Sequence, residues 1–179
     1  PSNQAMMESL SPILIVMGVS GCGKTVVGKV LAERLECPFL EGDTFHPAIN
    51  ITKMSSGTPL NDEDRTAWMV ALRTTMEKQT GSAVLSCSAL KRRHRAYLSE
   101  FPRPVVYLHL TGERSLLEER ISSRRGHFFD PNLLGSQIEA LEPPVEDEEA
   151  IALQIDDSVE NIVAEALVRL KAYGVYPLS

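Results

Sequence analysis

This sequence predicts an α/β domain built on a parallel sheet, and three observations carry that prediction. Short β-rich apolar runs recur along the chain, at Ile13–Met17, Ala83–Cys87, Val105–Leu110 and Ile151–Ile155. Segments with helical spacing separate them, and strands apolar on both faces belong to a parallel sheet covered by helices above and below. A glycine-rich turn, GVSGCGKT at 18–25, follows the first run at once and opens the first helical pattern. The chain has 179 residues, 43% of them hydrophobic, which suits one domain with a substantial core and leaves little room for two.

The elements follow in chain order. Residues 1–11 read as a disordered or vector-derived start, since Pro1 is an odd first residue and the polar stretch to Ser11 lacks the apolar centre of a secretory signal. After the first strand, Val27, Leu31 and Leu35 share one helical face, with Val26 and Val30 beside it. PFLEGD at 38–43 offers a short fifth strand. The stretch from His46 to Gly81 has room for a pair of helices rather than one crossover. Within it, Asn61 followed by Asp64 reads as an N-cap with an acidic third position, opening a helix that carries Trp68, Leu72 and Met76. A helix around Glu113–Arg124 runs into RRGHFFDP, where Gly126 and Pro131 bracket a candidate flap, and a second helical stretch follows. The acidic EPPVEDEE at 142–149 reads as a solvated loop. Ser158 is a candidate N-cap for a last helix bearing Val159, Ile162, Val163, Ala166, Leu167 and Leu170.

Charge and composition exclude several functions. A formal net charge of −6 disfavours a general nucleic-acid binder, although KRRHR at 91–95 is locally basic. No apolar run reaches the roughly 18 residues that a membrane span needs. Cys22, Cys37 and Cys87 are widely spaced with no CxxC pair, which fits a reduced, cytoplasmic chain.

Gly18, Gly23, Lys24 and Thr25 satisfy the phosphate-binding pattern G-x-x-x-x-G-K-[ST] in its proper context, after a strand and into a helix. Glycines let backbone N–H groups turn inward, and the helix N-terminus adds a dipole favourable to negative charge. The loop residues Gly18, Ser20, Gly21, Cys22, Gly23, Lys24, Thr25 and Val26 are therefore candidates for holding ATP. Lys24 reaches the β- and γ-phosphates, and the Thr25 hydroxyl suits Mg²⁺. There is no aspartate-x-x-glycine switch loop, no N-K-x-D motif and no L-S-G-G-Q signature, and VLSCSAL lacks the acidic residue of a Walker B strand. A small phosphotransferase remains, one that grips an acceptor and excludes water. GDTFHP and LNDEDR supply Asp43, His46, Asp64 and Arg65 for the acceptor. Lys91 and Arg95, four apart, can point together at an anion while Arg92 and Arg93 face water; a wholly solvent-exposed basic helix is the alternative. Arg120 and Arg124 share the same spacing and suit nucleotide contacts, with Arg124 placed to neutralise charge on the transferred group.

MGVSGCGKT, GDTFHPAINITKMSSGTPLNDEDR, CSALKRRHR, RGHFF and SQIEALEPP occur in the order and with the spacing of the gluconokinases, which the chain resembles over roughly residues 12 to 170. The resemblance implies a three-layer P-loop NTPase fold of the nucleoside-monophosphate-kinase type, with five parallel strands in the order 2-3-1-4-5. It implies one domain over 12–179, a helical acceptor-binding region at about 45–80 and a lid at about 122–140. The implied reaction is ATP-dependent phosphorylation of D-gluconate at its 6-hydroxyl, in a homodimer. Asp43 takes the place of the carboxylate that faces the acceptor hydroxyl, as base or orienter; a turn aspartate capping the next helix is the plainer reading. His46, Asn50, Lys53 and Arg65 fall on the gluconate side, as do Arg95 and, less directly, Lys91. For His46 a helix-start role before Pro47, and for Lys53 simple solvation, stay open. His127, beside Phe128 and Phe129, either touches gluconate or packs. Trp68 reads as core rather than ligand wall. Glu41 stands where aspartate is expected near a water-mediated magnesium contact, His94 where tyrosine is usual, Ala67 in place of proline and Cys22 in place of serine. The rival readings are a kinase for shikimate or a nucleoside monophosphate, and a nucleotide-binding regulatory module without turnover.

Overall fold

The structure, a computed structural model, describes residues 11–122 and 131–177. Five strands, β1 (Ile13–Met17), β2 (Phe39–Glu41), β3 (Ala83–Ser86), β4 (Val105–Thr111) and β5 (Ala150–Gln154), form one parallel sheet in the order β2-β3-β1-β4-β5. That is the order the resemblance implied. Among the described residues seven α-helices surround it: α1 (Lys24–Leu35), α2 (Ala48–Ser55), α3 (Asp62–Glu77), α4 (Arg92–Ser99), α5 (Arg114–Ser122), α6 (Pro131–Ala140) and α7 (Val159–Leu170).

β1 is central, with Ile13 level with Ala83 on one side and Val105 on the other, and all five of its residues are buried. Because successive strand side chains point to opposite faces, β1 feeds two cores. Leu14 and Val16 pack with Val27 and Leu31 of α1 and Ile162, Val163 and Leu167 of α7. Ile13, Ile15 and Met17 pack with Trp68, Leu72 and Met76 of α3 and with Tyr107. Each fully buried aliphatic side chain contributes about 1.5–3 kcal/mol.

The predicted start of α3 forms as a full capping box. Asn61 Oδ1 accepts from the Asp64 N–H at 2.8 Å, and Asp64 Oδ2 accepts from the Asn61 N–H at 3.0 Å. Ser158 caps α7, its Oγ accepting from the Asn161 N–H at 3.1 Å. The fifth strand begins one residue earlier than its apolar run, and as an edge strand it exposes Ala152 and Gln154. The Ile155 N–H still bonds Thr111 O at 3.0 Å, so the ladder runs on past its end. The acidic 142–149 segment is not simply solvated: Glu142 N–H bonds Leu90 O at 2.8 Å, and Glu148 turns inward. No helix among the described residues is long and apolar enough to cross a membrane. The expected flap at Gly126, and the 1–11 start apart from Ser11, lie outside the described residues.

Candidate active site

The connection from β1 to α1 is built by glycine. Gly18, Gly21 and Gly23 have φ of 146°, 81° and 95°, a region that L side chains rarely adopt. A Cβ on Gly18 would also sit 2.7 Å from Cys22 Sγ and 2.8 Å from Leu110 O. No side chain caps α1, so the backbone donors of its first turn are left for a ligand. The Lys24 ammonium folds over the loop, donating to Gly18 O at 2.9 Å and Val19 O at 3.1 Å.

Beside the loop, one carboxylate ties three elements together. Thr25 Oγ1 donates to Glu41 Oε2 at 2.6 Å, and Ser86 Oγ donates to Glu41 Oε1 at 2.6 Å. Ser86 Oγ in turn accepts from the Gly42 N–H at 3.3 Å. The ends of β2 and β3 approach so closely that a Cβ on Gly42 would lie 2.1 Å from Ser86 O. The acidic residue absent from β3 is thus supplied by the tip of its neighbour. Thr25 and Glu41 are hard oxygen donors of the kind Mg²⁺ takes, and they fit it. Among the described residues no cluster of three His, Cys, Asp or Glu could hold a metal alone, so a cation here would rely on phosphate oxygens and water as well.

A 3-10 turn, Gly42–Phe45, carries the chain from β2 towards α2 and leaves Asp43 exposed. Cys87, at the end of β3, feels the charges of Lys24, Asp43 and Glu41, so these groups converge on the carboxyl edge of the sheet. Burial pushes the Cys87 thiol up to about 12, which makes it inert at neutral pH. His46 stacks on Trp68 with centroids 4.1 Å apart and planes at 16°, while Trp68 Nε1 donates to Gly42 O at 2.9 Å. Buried Asn50 presents Nδ2 to Asp64 O at 2.9 Å and to His46 Nδ1 at 3.2 Å. Burial lowers the His46 pKa, against the raising pull of Asp43.

A cavity of about 400 Å³ opens next to this turn, with Arg65, Trp68, Lys91, Arg93, His94 and Gln137 in its walls. Arg65 and Arg93 both reach Asp62, at 3.3 and 2.9 Å, and Lys91 lies 3.6 Å from Glu142. Gln137 joins the cavity to the loop, its Oε1 accepting from the Ser20 N–H at 2.6 Å. A larger cavity, about 660 Å³, lies at the amino ends of β4 and β5. Open α/β sheets bind ligands outside the carboxyl ends of their strands, so the smaller cavity is the relevant one.

Comparison with known proteins agrees with this geometry. A family model described as shikimate kinase matches residues 20–170. A probable gluconokinase of Xenopus tropicalis is 43% identical over 171 residues, covering 86% of this chain and 90% of that protein. The thermoresistant gluconokinase of Escherichia coli K12 is 39% identical, covering 89% and 93%. The chain belongs to the gluconokinase family. A solved gluconokinase from Sinorhizobium meliloti 1021 superposes with a TM-score of 0.82 at 41% identity, covering 91% of this chain and 93% of that one. A shikimate kinase from Aquifex aeolicus reaches 0.58 at 15% identity over 90% of this chain and 98% of its own, which shows the shared fold alone. The shikimate-kinase model therefore describes the wider fold group, and gluconokinase the narrower kinship. The chain is a P-loop kinase.

Within this gluconokinase-family site, the residues expected from sequence divide into three groups. The loop, Asp43, His46, Arg65 and Lys91 gather at the carboxyl edge of the sheet or in the cavity wall. Lys53 and Asp64 instead bind each other at 2.7 Å, and that bond, with the Asn61 N–H, holds the Asp64 carboxyl below its usual range. Arg95 is not brought to the cavity. It is 1% exposed, with Nε 2.7 Å from Glu148 Oε1 and its other nitrogens on the carbonyls of Ala89, Leu90 and Glu142. The i, i+4 pairing fails because Lys91 is the extended N-cap of α4 (φ −95°, ψ 136°) and so stands outside the helical periodicity. Arg93, expected to face water, lines the cavity with His94; Arg92 does turn outward, to Asp147. Trp68, expected as core, is both core and cavity wall. Arg120 donates to Ile155 O. Arg124 and His127 lie outside the described residues. Sequence reasoning missed Ser86 and Gln137; the SQIEALEPP stretch was the available signal for the second.

Proposed function

We propose that this chain transfers the γ-phosphoryl group of ATP to the 6-hydroxyl of D-gluconate, giving 6-phospho-D-gluconate and ADP. The observation that carries the reading is a phosphate loop joined through Gln137 to a cavity lined by cationic side chains, in a chain of this family. Loop amides and Lys24 hold the β- and γ-phosphates, and Asp43 receives or orients the acceptor hydroxyl. A loose phosphoryl-transfer transition state asks for little proton removal early on, so a carboxylate suffices there. Arg65 offers the gluconate carboxylate a planar two-donor fork, with His46, Lys91 and Arg93 around it. Mg²⁺, held at Thr25 with Glu41 behind it, would supply neutralisation of the phosphate oxygens. Asn50 braces His46, and Arg120 with Arg124 serves the nucleotide.

We also propose a single domain over 12–179, with an acceptor-binding region at 45–80 and a lid at 122–140. Three cysteines joined in no disulfide suit a cytoplasmic setting, and family resemblance supports a homodimer, which light scattering on the purified chain would test. The decisive assay follows ADP release with gluconate, shikimate and nucleoside monophosphates as acceptors. Gluconate-dependent ADP, with 6-phosphogluconate in equal amount, is expected. Turnover with another acceptor and none with gluconate would reassign the substrate, and ATP binding without any turnover would make the chain a regulatory module.

A further inference from the structure

The loop and the acceptor cavity meet at one side chain. Ser20 lies between Gly18 and Gly21, in a stretch whose N–H groups serve phosphate, yet its own N–H is taken at 2.6 Å by the Gln137 carboxamide oxygen. Gln137 is 117 residues away in sequence and half-buried on α6, and it also lines the cavity. The last turn of α6 closes with Leu141 N–H on Gln137 O at 2.9 Å, and the chain just beyond is anchored by Glu142 N–H on Leu90 O at 2.8 Å, beside the start of α4. A neutral amide oxygen therefore occupies a donor that an anionic oxygen would bind about twice as strongly.

We propose that Gln137 is a positioning residue for phosphoryl transfer, holding the Ser20 N–H in the nucleotide-free chain and yielding it to a triphosphate oxygen. The released carboxamide then stands between the loop and the cavity, where its NH₂ and oxygen orient the acceptor hydroxyl and keep water from the transferring group. The exchange also couples the two ligands, because nucleotide must arrive before the carboxamide is free for the acceptor. The acceptor part of this inference rests on the phosphorylating function proposed above; the nucleotide part does not.

The test compares the full chain with Gln137→Ala and Gln137→Glu. ATP affinity is measured by calorimetry without acceptor, and turnover by ADP release and 6-phosphogluconate formation in parallel. Gln137→Glu sets a carboxylate against the same N–H and repels the triphosphate, so ATP affinity should fall about tenfold or more, which corresponds to about 1.4 kcal/mol. Gln137→Ala frees the donor, so ATP should bind as well as or better than to the parent. Its kcat with gluconate should drop about tenfold or more, and the share of ADP formed without 6-phosphogluconate should rise. Wild-type ATP affinity in Gln137→Glu, or a wild-type kcat and product ratio in Gln137→Ala, overturns the proposal; a lowered melting temperature alone also counts against it. Should Gln137→Glu not fold, the product ratio of Gln137→Ala decides. If the parent chain ignores gluconate, the substrate reading fails, while the ATP-affinity comparison still judges Gln137.

Discussion

Glu41 holds the Thr25 and Ser86 hydroxyls with its two oxygens, each at 2.6 Å. A carboxamide of the same shape has only one acceptor oxygen and would meet the second hydroxyl with an NH₂ group. Glu41→Gln should therefore lower kcat by about ten- to a hundredfold and raise the Mg²⁺ concentration needed for half-maximal rate, with little loss of stability. Glu41→Asp, which keeps the carboxylate on a side chain one carbon shorter, should keep most activity; equal metal dependence in all three would remove Glu41 from the metal's surroundings. His94 makes a second case. Burial, then the charges of Arg93 and Arg65, hold its imidazole below the usual value, against the raising pull of Asp62. It is neutral at pH 7, and a carboxylate bound beside it would favour the imidazolium and so draw in a proton. The KM for gluconate should then fall as pH drops from about 7 to about 5.5, and His94→Tyr should flatten that dependence. An unchanged slope in the variant would place the titrating group elsewhere.

Between elements, a buried polar tie joins α4 to the 142–149 segment through Arg95. Its guanidinium meets Glu148 and three backbone carbonyls while 1% exposed. Removing it by Arg95→Leu takes the cation from a largely buried carboxylate, which keeps only the Val145 N–H, and takes one donor from each of those carbonyls, at a cost of about 3–5 kcal/mol by urea denaturation. Arg95→Lys keeps the charge but loses the fork, and should fall in between. A cost below about 1 kcal/mol for Arg95→Leu would contradict the pinning role. Glu148 titrates with this tie: burial pushes its carboxyl up, but bonds from Arg95 and the Val145 N–H outweigh that and leave it lowered. A lowered folded pKa stabilises above the unfolded value, and that stability is lost as pH falls through the folded one. This pin also marks how far the sequence could be read. Strands and helices were legible because apolar period betrays them, and the capping box at Asn61 because its signature is local. The role of Arg95 was not, since a basic run looks solvated until distant acidic residues fold against it. Gln137 was hidden for the same reason: its partner is a backbone N–H far away in sequence.

At the scale of the whole molecule, β1 makes the site and the cores one cooperative unit. Leu14 and Val16 belong to one core and Ile13, Ile15 and Met17 to the other, while the same strand leads directly into the phosphate loop. Neither half can lose its packing without unseating the strand that serves both, so unfolding should follow a single transition. Nucleotide bound to the loop stabilises that unit by mass action. At a hundred times its dissociation constant ATP should add about 2.7 kcal/mol, which for a chain of this size moves the melting temperature by roughly 5–10 °C. Among the described residues Lys24 donates only to two loop carbonyls, so Lys24→Ala should leave the unliganded melting temperature nearly in place. It should abolish most of the ATP-induced shift and most of the turnover together. Calorimetric scans of both chains, with and without ATP and Mg²⁺, decide the matter. Two separated transitions in the parent would break the link between the cores, and a full ATP shift with full turnover in Lys24→Ala would move the triphosphate away from the loop.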